Sequence, residues 1–305
     1  MSDRTPAALV ASVGLACLDH VWQVERFPPQ ASRTHASAYR SHGGGPAATA
    51  AVAAARLGAA SHLWASLGDD EAGVALAREL EGEGVHLHAT HTPGARSFVS
   101  AVLVDPTGER HIFPFRGERL TDDPAAHDWS ALQAAGALLT DARHPRISAH
   151  ALALARRHAV PTVGDWSDLR QWEQTAWVDH LIVSEECARE ALGEADPSAA
   201  LARLRRRSDQ LVAVTLGARG IVWDAGDGVR RSPAPRVRVV DSTGAGDAFH
   251  GAYAFAIASG RGVRAAMRLA SAVGALTCTG PGRTTLPDLA TADRLAATMP
   301  DEEHA

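Results

Sequence analysis

The residues of this 305-residue chain best suited to chemistry lie in one run, VVDSTGAGDAFHGAYAF at 239–255. A strand-like stretch ends there, Gly244 and Gly246 permit a tight turn, and an alanine-rich helix follows. The backbone N–H groups of Gly244, Ala245 and Gly246 then converge at a helix N-terminus, where unpaired donors and the helix dipole favour an anion. Asp247, in the first turn, stands beside that anion and can accept a proton from an attacking hydroxyl. Such a site suits a phosphate in transfer. A plainer reading fits the same residues: an acid in a first helical turn complements the dipole, and Gly-Ala-Gly makes a turn.

The chain contains no lysine, so all 30 basic residues are arginine. That removes a Walker A loop, a protein-kinase strand lysine and Schiff-base chemistry. If ATP is handled, backbone amides, arginine and a metal ion must hold its phosphates. A formal net charge of -5 gives no general attraction to nucleic acid or anionic lipid, and a small-molecule ligand fits better. Cys17, Cys187 and Cys278 are odd in number and widely spaced, which points to a reducing compartment, the cytosol. The N-terminal MSDRTPAALVASVG lacks the pattern of an export signal, and no apolar run is long enough to span a membrane. His86, His88 and His91 have metal-like spacing, but alternate positions on a half-exposed strand explain them equally well.

Elements must position the 239–255 run. Apolar stretches at 8–14, 61–68, 136–142, 178–184 and 210–217 read as strands buried on both faces. Helical stretches at 46–57, 70–83, 147–158, 198–207, 245–258 and 263–279 lie between them. This alternation predicts an α/β fold, a mostly parallel sheet with helices on both faces. Residues 17–41 and 96–115 break the pattern, and the second reads as a hairpin around a PTGER turn. A small antiparallel lid on a single domain spanning 1–305 is expected. The seven tryptophans read as core, the arginines of LARLRRRSDQ (201–210) as a solvated face, and the terminal DEEHA as frayed.

DSTGAGDAF resembles the signature of the PfkB carbohydrate kinases, the ribokinase-like family. VGLACLDH (13–20), GGGPAATAAVAAARLGA (43–59), WASLGDDEAG (64–73), VTLGARG (214–220) and TCTGPGRTTLPD (277–288) match further blocks in the family's order. The resemblance implies a ribokinase-like fold and an ATP-dependent sugar kinase using Mg²⁺, with a monovalent cation left open. It implies that Asp247 is the general base and that Gly244, Ala245 and Gly246 hold the transferred γ-phosphate. Asp19 would accept hydrogen bonds from sugar hydroxyls, and Gly44 and Gly45 would let the sugar approach the backbone. Thr215, Gly217 and Gly220 would line the nucleotide. A homodimer joined through the lid is expected.

Two departures stand out. Thr49 replaces the asparagine usual in ribokinase-type members, so the contacts to the sugar differ there. The family's magnesium-organising NxxE motif has Ser184 and Cys187 at its first and last positions, which leaves Glu185 and Glu186 as acidic candidates. Arg283, in the C-terminal loop, receives no role.

Pro46, Thr49 and CTGPGR most resemble the sulfofructose kinase branch. That branch needs a sulfonate site, for which Arg33 and Arg143 are the matching basic positions. Arg33 stands where the branch carries lysine, and Pro114 where it carries asparagine. The expected reaction is γ-phosphate transfer to a primary hydroxyl of a ketohexose-type sugar, sulfofructose among them. Alternatives are a fructokinase or tagatose-type kinase, a ribokinase, a nucleoside kinase, or a non-catalytic sugar-binding regulator on the same scaffold. A dinucleotide-binding dehydrogenase is disfavoured because no GxGxxG opens the first βα unit.

Overall fold

The computed structural model describes residues 8–27, 33–106, 110–167 and 171–304. Its first strands are β1 (Leu9–Val13), β2 (Cys17–Val24), β3 (Ala36–Gly44), β4 (Ala60–Gly68), β5 (Val85–Thr92), β6 (Phe98–Val104) and β7 (Arg110–Phe115). Then come β8 (Ala137–Thr140), β9 (Thr162–Trp166), β10 (His180–Ser184), β11 (Leu211–Thr215), β12 (Ile221–Asp224), β13 (Val229–Ser232) and β14 (Glu303–His304). The helices are α1 (Pro46–Arg56), α2 (Glu71–Gly82), α3 (Pro145–Arg157), α4 (Glu185–Leu192), α5 (Pro197–Leu204), α6 (Ala245–Ala258), α7 (Val263–Thr277) and α8 (Leu289–Ala297).

The large sheet runs β14-β13-β12-β11-β10-β9-β8-β1-β4-β5. From β11 to β5 every pairing is parallel, and β12, β13 and β14 extend it antiparallel. Successive residues of its central strands face opposite layers: Ile182 and Ala213 pack with α1, α2, α6, α7 and α8, while Leu181, Val183, Val212 and Val214 pack with α3, α4 and α5. Burial on both faces explains why these strands read as continuous apolar runs.

The chain leaves β1 toward β4 and β5 on one side, then resumes at β8 and works outward on the other. The β1/β8 boundary is thus a topological switch point, where open α/β sheets form a crevice beyond the carboxyl ends of their strands. Gly14 and Leu15 leave β1 there, and Asp141 leaves β8. On the α1 layer, α1 and α6 pack backbone to backbone. A Cβ at Gly251 would lie 2.2 Å from the Ala50 carbonyl oxygen, so only glycine permits this approach.

The second sheet, β3-β2-β6-β7, contains both regions that broke the sequence pattern. Its outer pairs are antiparallel, but β2 and β6 run parallel, so it is a mixed sheet and not two simple hairpins. Residues 28–32 of the first region and 107–109 of the PTGER turn lie outside the described residues.

Other expectations change. Glu303 and His304 pair with Arg231 and Arg230 of β13, so these two residues of DEEHA are strand and not frayed. Helix α5 stops at Leu204, and the arginines beyond it bind the body: Arg205 donates to the carbonyls of Gln210 and Asp224, and Arg207 to that of Ala176 and to the Asp179 carboxylate. Trp64, Trp166 and Trp223 are core, whereas Trp177 is exposed. Among the described residues no metal cluster forms, and His86 instead stacks on His62 at 4.7 Å. No described helix is long and apolar enough to cross a membrane.

Candidate active site

Asp19 lies on β2 beside His42 of β3, and its carboxylate fills the space over the glycine turn that follows. A Cβ at Gly44 would meet Asp19 Oδ2 at 2.1 Å. Gly45, at φ 93°, caps α1, and a Cβ there would strike the Leu15 carbonyl at 2.5 Å. Pro46 suits the first helical position because its missing N–H needs no partner there. Burial raises the Asp19 pKa from its ordinary value.

Asp141, at the switch point, holds this corner together. Its carboxylate accepts from Leu15 N at 2.8 Å, Ala47 N at 3.2 Å and Arg143 N at 2.9 Å, tying β1, α1 and its own loop. Burial nevertheless raises its pKa to about 6. The side chain of Arg143 donates to Ser167 Oγ.

Gly244 is the N-cap of α6 in the left-handed conformation, φ 74°, with Asp247 in the first turn. Gly246 has no such φ, and a Cβ on it would meet no protein atom within 4 Å. Ala245 N is directed to Ser242 O at 3.3 Å, while Gly244 N and Gly246 N have no acceptor among the described residues. Asp247 N likewise has no acceptor among the described residues. Burial, with Asp165 adding to it, raises the Asp247 pKa to about 7, while His250 and Arg283 pull it down. His250 Nδ1 lies 2.8 Å from the Gly246 carbonyl and 3.5 Å from Asp165 Oδ2.

One cavity of ≈ 40 Å³ joins the two halves. Asp19, Gly44, Gly45, Thr49, Gly244 and Asp247 line it, with Arg283 as a member that sequence reasoning passed over. Arg283 lies between the halves, its side chain only 10% exposed. Its Nη2 donates to the Gly44 carbonyl at 3.1 Å, and Nη1 meets Glu79 Oε1 at 3.2 Å. Nothing in GPGR signals this, because burial of a loop arginine depends on elements far away in sequence. Asp141 was more accessible to reasoning, since an acid directly after a buried strand falls at the carboxyl end of a parallel sheet.

Adjoining cavities of ≈ 440 Å³ and ≈ 260 Å³ continue beneath the small sheet. Arg143 lines both, joined by Arg116 in the first and by Arg40 and Arg110 in the second. Arg33 is exposed ahead of β3 and lines none of these three cavities.

Thr215, Gly217 and Gly220 cluster at the end of β11, outside the Asp19–Asp247 cavity. Gly217 has φ 58° and open space at its Cβ, whereas Gly220 is needed because a Cβ would meet Ser232 O at 2.0 Å. Glu185 pairs with Arg219, and Ser184 caps α4 by accepting from Cys187 N at 3.1 Å. Glu185 is thus an ion-paired, partly exposed carboxylate at the start of α4.

Comparison with known proteins agrees with this layout. Residues 7–289 match the model of the pfkB family of carbohydrate kinases. The chain is 27% identical over 278 residues to a ribokinase of Bacillus subtilis, covering 88% of this chain and 92% of that protein. It is 30% identical over 294 residues to an ATP-dependent ribose-1-phosphate kinase of Halopiger xanaduensis, covering 94% and 97%. A crystal structure of a candidate ribokinase from Agrobacterium tumefaciens superposes with a TM-score of 0.89 at 32% identity, covering 95% of this chain and 98% of that one. A match along nearly the whole length, with a GAGD helix start beside the crevice at the switch point, places this chain in the pfkB family of carbohydrate kinases, which are ATP-dependent phosphotransferases.

Proposed function

We propose that the protein transfers the γ-phosphate of ATP to a primary hydroxyl of an anionic ketohexose-type sugar, with sulfofructose the first substrate to try. The observation that carries the reading is the meeting of Asp19 and Asp247 on one small cavity between the Gly43–Gly45 turn and the start of α6. Asp19 receives the sugar's hydroxyls. Asp247 takes the proton of the attacking hydroxyl, and Gly244 N and Gly246 N offer donors to the phosphoryl group as charge builds on its oxygens.

A base whose pKa lies near the working pH is poised for this task. Burial supplies that pKa for Asp247, and His250 and Arg283 limit the rise so that the ionised form remains accessible. Thr215, Gly217 and Gly220 line the nucleotide side. Mg²⁺ is assigned to the nucleotide's phosphates, its usual mode of binding, and not to a protein cage.

The anionic preference rests on Arg143, which lines both cavities next to Asp19. The relative that acts on ribose 1-phosphate, also an anionic sugar, supports it. Arg33, exposed and outside the cavities, joins only if the small sheet closes as a lid. The ribokinase relatives favour a second reading, a neutral pentose. A coupled ADP-release screen across sulfofructose, fructose, fructose phosphates, tagatose, ribose, ribose 1-phosphate and nucleosides separates them. Preference for neutral ribose or fructose removes the anionic reading.

Three free cysteines suit the cytosol. The face of the small sheet away from the cavities leaves Tyr39 and Phe113 more than half exposed, at 58% and 60%. We take that face as the contact of a homodimer, and light scattering on Phe113→Asp tests it. A mass unchanged from wild type removes the lid from the interface.

A further inference from the structure

Thr49 is 3% exposed, yet its hydroxyl is only half used. Arg283 donates to Thr49 Oγ1 twice, from Nε at 3.2 Å and from Nη2 at 3.0 Å. A threonine hydroxyl has two acceptor lone pairs and one proton to give. Both lone pairs are therefore occupied by one guanidinium. The proton has no acceptor among the described residues, although the side chain lines the ≈ 40 Å³ cavity.

Arg283 is itself unable to accept a hydrogen bond. Its fork is held by the Gly44 carbonyl and Glu79, whose other oxygen accepts from Gly43 N at 2.6 Å. Thr49 and Arg283 thus form a wall that can only donate. Asp19 and Asp247, when ionised, line the same cavity and can only accept.

We infer that Arg283 is a specificity-determining positioning residue: by filling both lone pairs of Thr49 it turns that side of the pocket into a wall of donors, which selects a sugar placing an acceptor oxygen there and its hydroxyls toward the aspartates. The chemical class is a ring, keto or anionic oxygen. A hydroxyl in that place can still accept from Thr49, but its own proton then finds no acceptor on this wall, and a buried unpaired donor is costly. An asparagine at position 49 would offer both a donor and an acceptor, so the exchange to threonine beside Arg283 narrows what the wall can read.

This inference rests on the reading of the cavity as the sugar site but not on the identity of the base. Calorimetry without ATP tests it, with sulfofructose, fructose, ribose and ribose 1-phosphate as probes and a non-hydrolysable ATP analogue as the control ligand. Thr49→Val removes the donor at nearly constant shape and is expected to weaken binding of the best probe roughly 5- to 10-fold. Thr49→Ser, which keeps the hydroxyl, is expected to bind like wild type. Arg283→Lys replaces the fork by a single ammonium and reopens a Thr49 lone pair, so the ratio of affinities between best and worst probe should shrink. In all three variants binding of the ATP analogue should stay within about twofold of wild type.

Equal sugar binding by Thr49→Val and wild type overturns the donor wall, as does equal weakening of sugar and nucleotide. If none of the four probes binds the wild type, the sugar pocket and the wall fall together. Sugar binding that follows the expected pattern while Asp247→Asn keeps full turnover retains the wall and removes only the proposed base.

Discussion

The two ends of the cleft, proposed above to take the sugar and the nucleotide, are built in different ways. At the sugar end, side chains from distant parts of the chain interlock before any ligand arrives: Asp141 binds three amides, Arg283 binds Gly44, Thr49 and Glu79, and the Asp19 carboxylate lies where a Gly44 side chain would be. At the phosphate and nucleotide end, the turns at Gly246 and Gly217 face open space, with backbone groups in place of side chains. An end made of fixed side chains discriminates among ligands. An end made of backbone donors binds a phosphate chain common to all nucleotides, and it can do so without lysine.

The largest expected effect lies where the two ends meet. Asp247→Asn should lower kcat by roughly 10²- to 10⁴-fold with little change in nucleotide affinity, the usual contribution of a positioned base. Turnover above half of wild type would remove Asp247 from the mechanism. Next in size, Arg143→Ala should raise KM for sulfofructose about 10- to 100-fold and hardly alter any activity on fructose, because charge-assisted bonds to an anion are lost for one sugar only. Equal effects on both sugars would show that the sugar end does not sense charge.

A pair of glycine replacements sharpens the contrast. Gly244→Ala places a Cβ at φ 74° and should destabilise the fold by about 1 kcal/mol, read as a lower Tm. Gly246→Ala should leave Tm unchanged, since its Cβ meets no protein atom, but should slow turnover if phosphate approaches there. Normal turnover by a folded Gly246→Ala protein would place the anion elsewhere.

A separate effect is one of stability against pH. The folded pKa of Asp247, about 7, lies above the 3.8 of a free aspartate carboxyl. The folded state therefore holds this proton more tightly than the unfolded state, and stability falls as pH rises from about 4 to about 7. Asp247→Asn should thus melt above the wild type at pH 8, and the gap should close toward pH 4. A gap that does not vary with pH would mean that the carboxyl is not destabilised by burial.

The sequence made the parallel body and the GAGD turn readable because both are local: strand runs buried on two faces are continuously apolar, and a turn followed by a helix start is a matter of a few residues. The mixed pairing of the small sheet was not local. The β2/β6 contact joins residues 81 positions apart, as in Cys17 and Phe98, and only the folded chain sets its direction. Arg283 was missed for the same reason, since its partners Gly44, Thr49 and Glu79 come from other parts of the chain. The loss of the NxxE pattern showed at Ser184, but its reuse as a helix cap needed the geometry of α4.

The contact of Gly251 with Ala50 has a mechanical consequence. Helix α1 begins at the sugar turn and α6 begins just before Asp247, so the two helices act as the fixed jaws of a caliper. Their backbones touch within the core, so prying them apart to admit a larger substrate would cost buried packing. Selection in the laboratory for bulkier sugars should accordingly gather its changes on the walls of the ≈ 440 Å³ cavity, at Phe98, Pro114, Arg116 and Gln171, and leave the seam between α1 and α6 untouched.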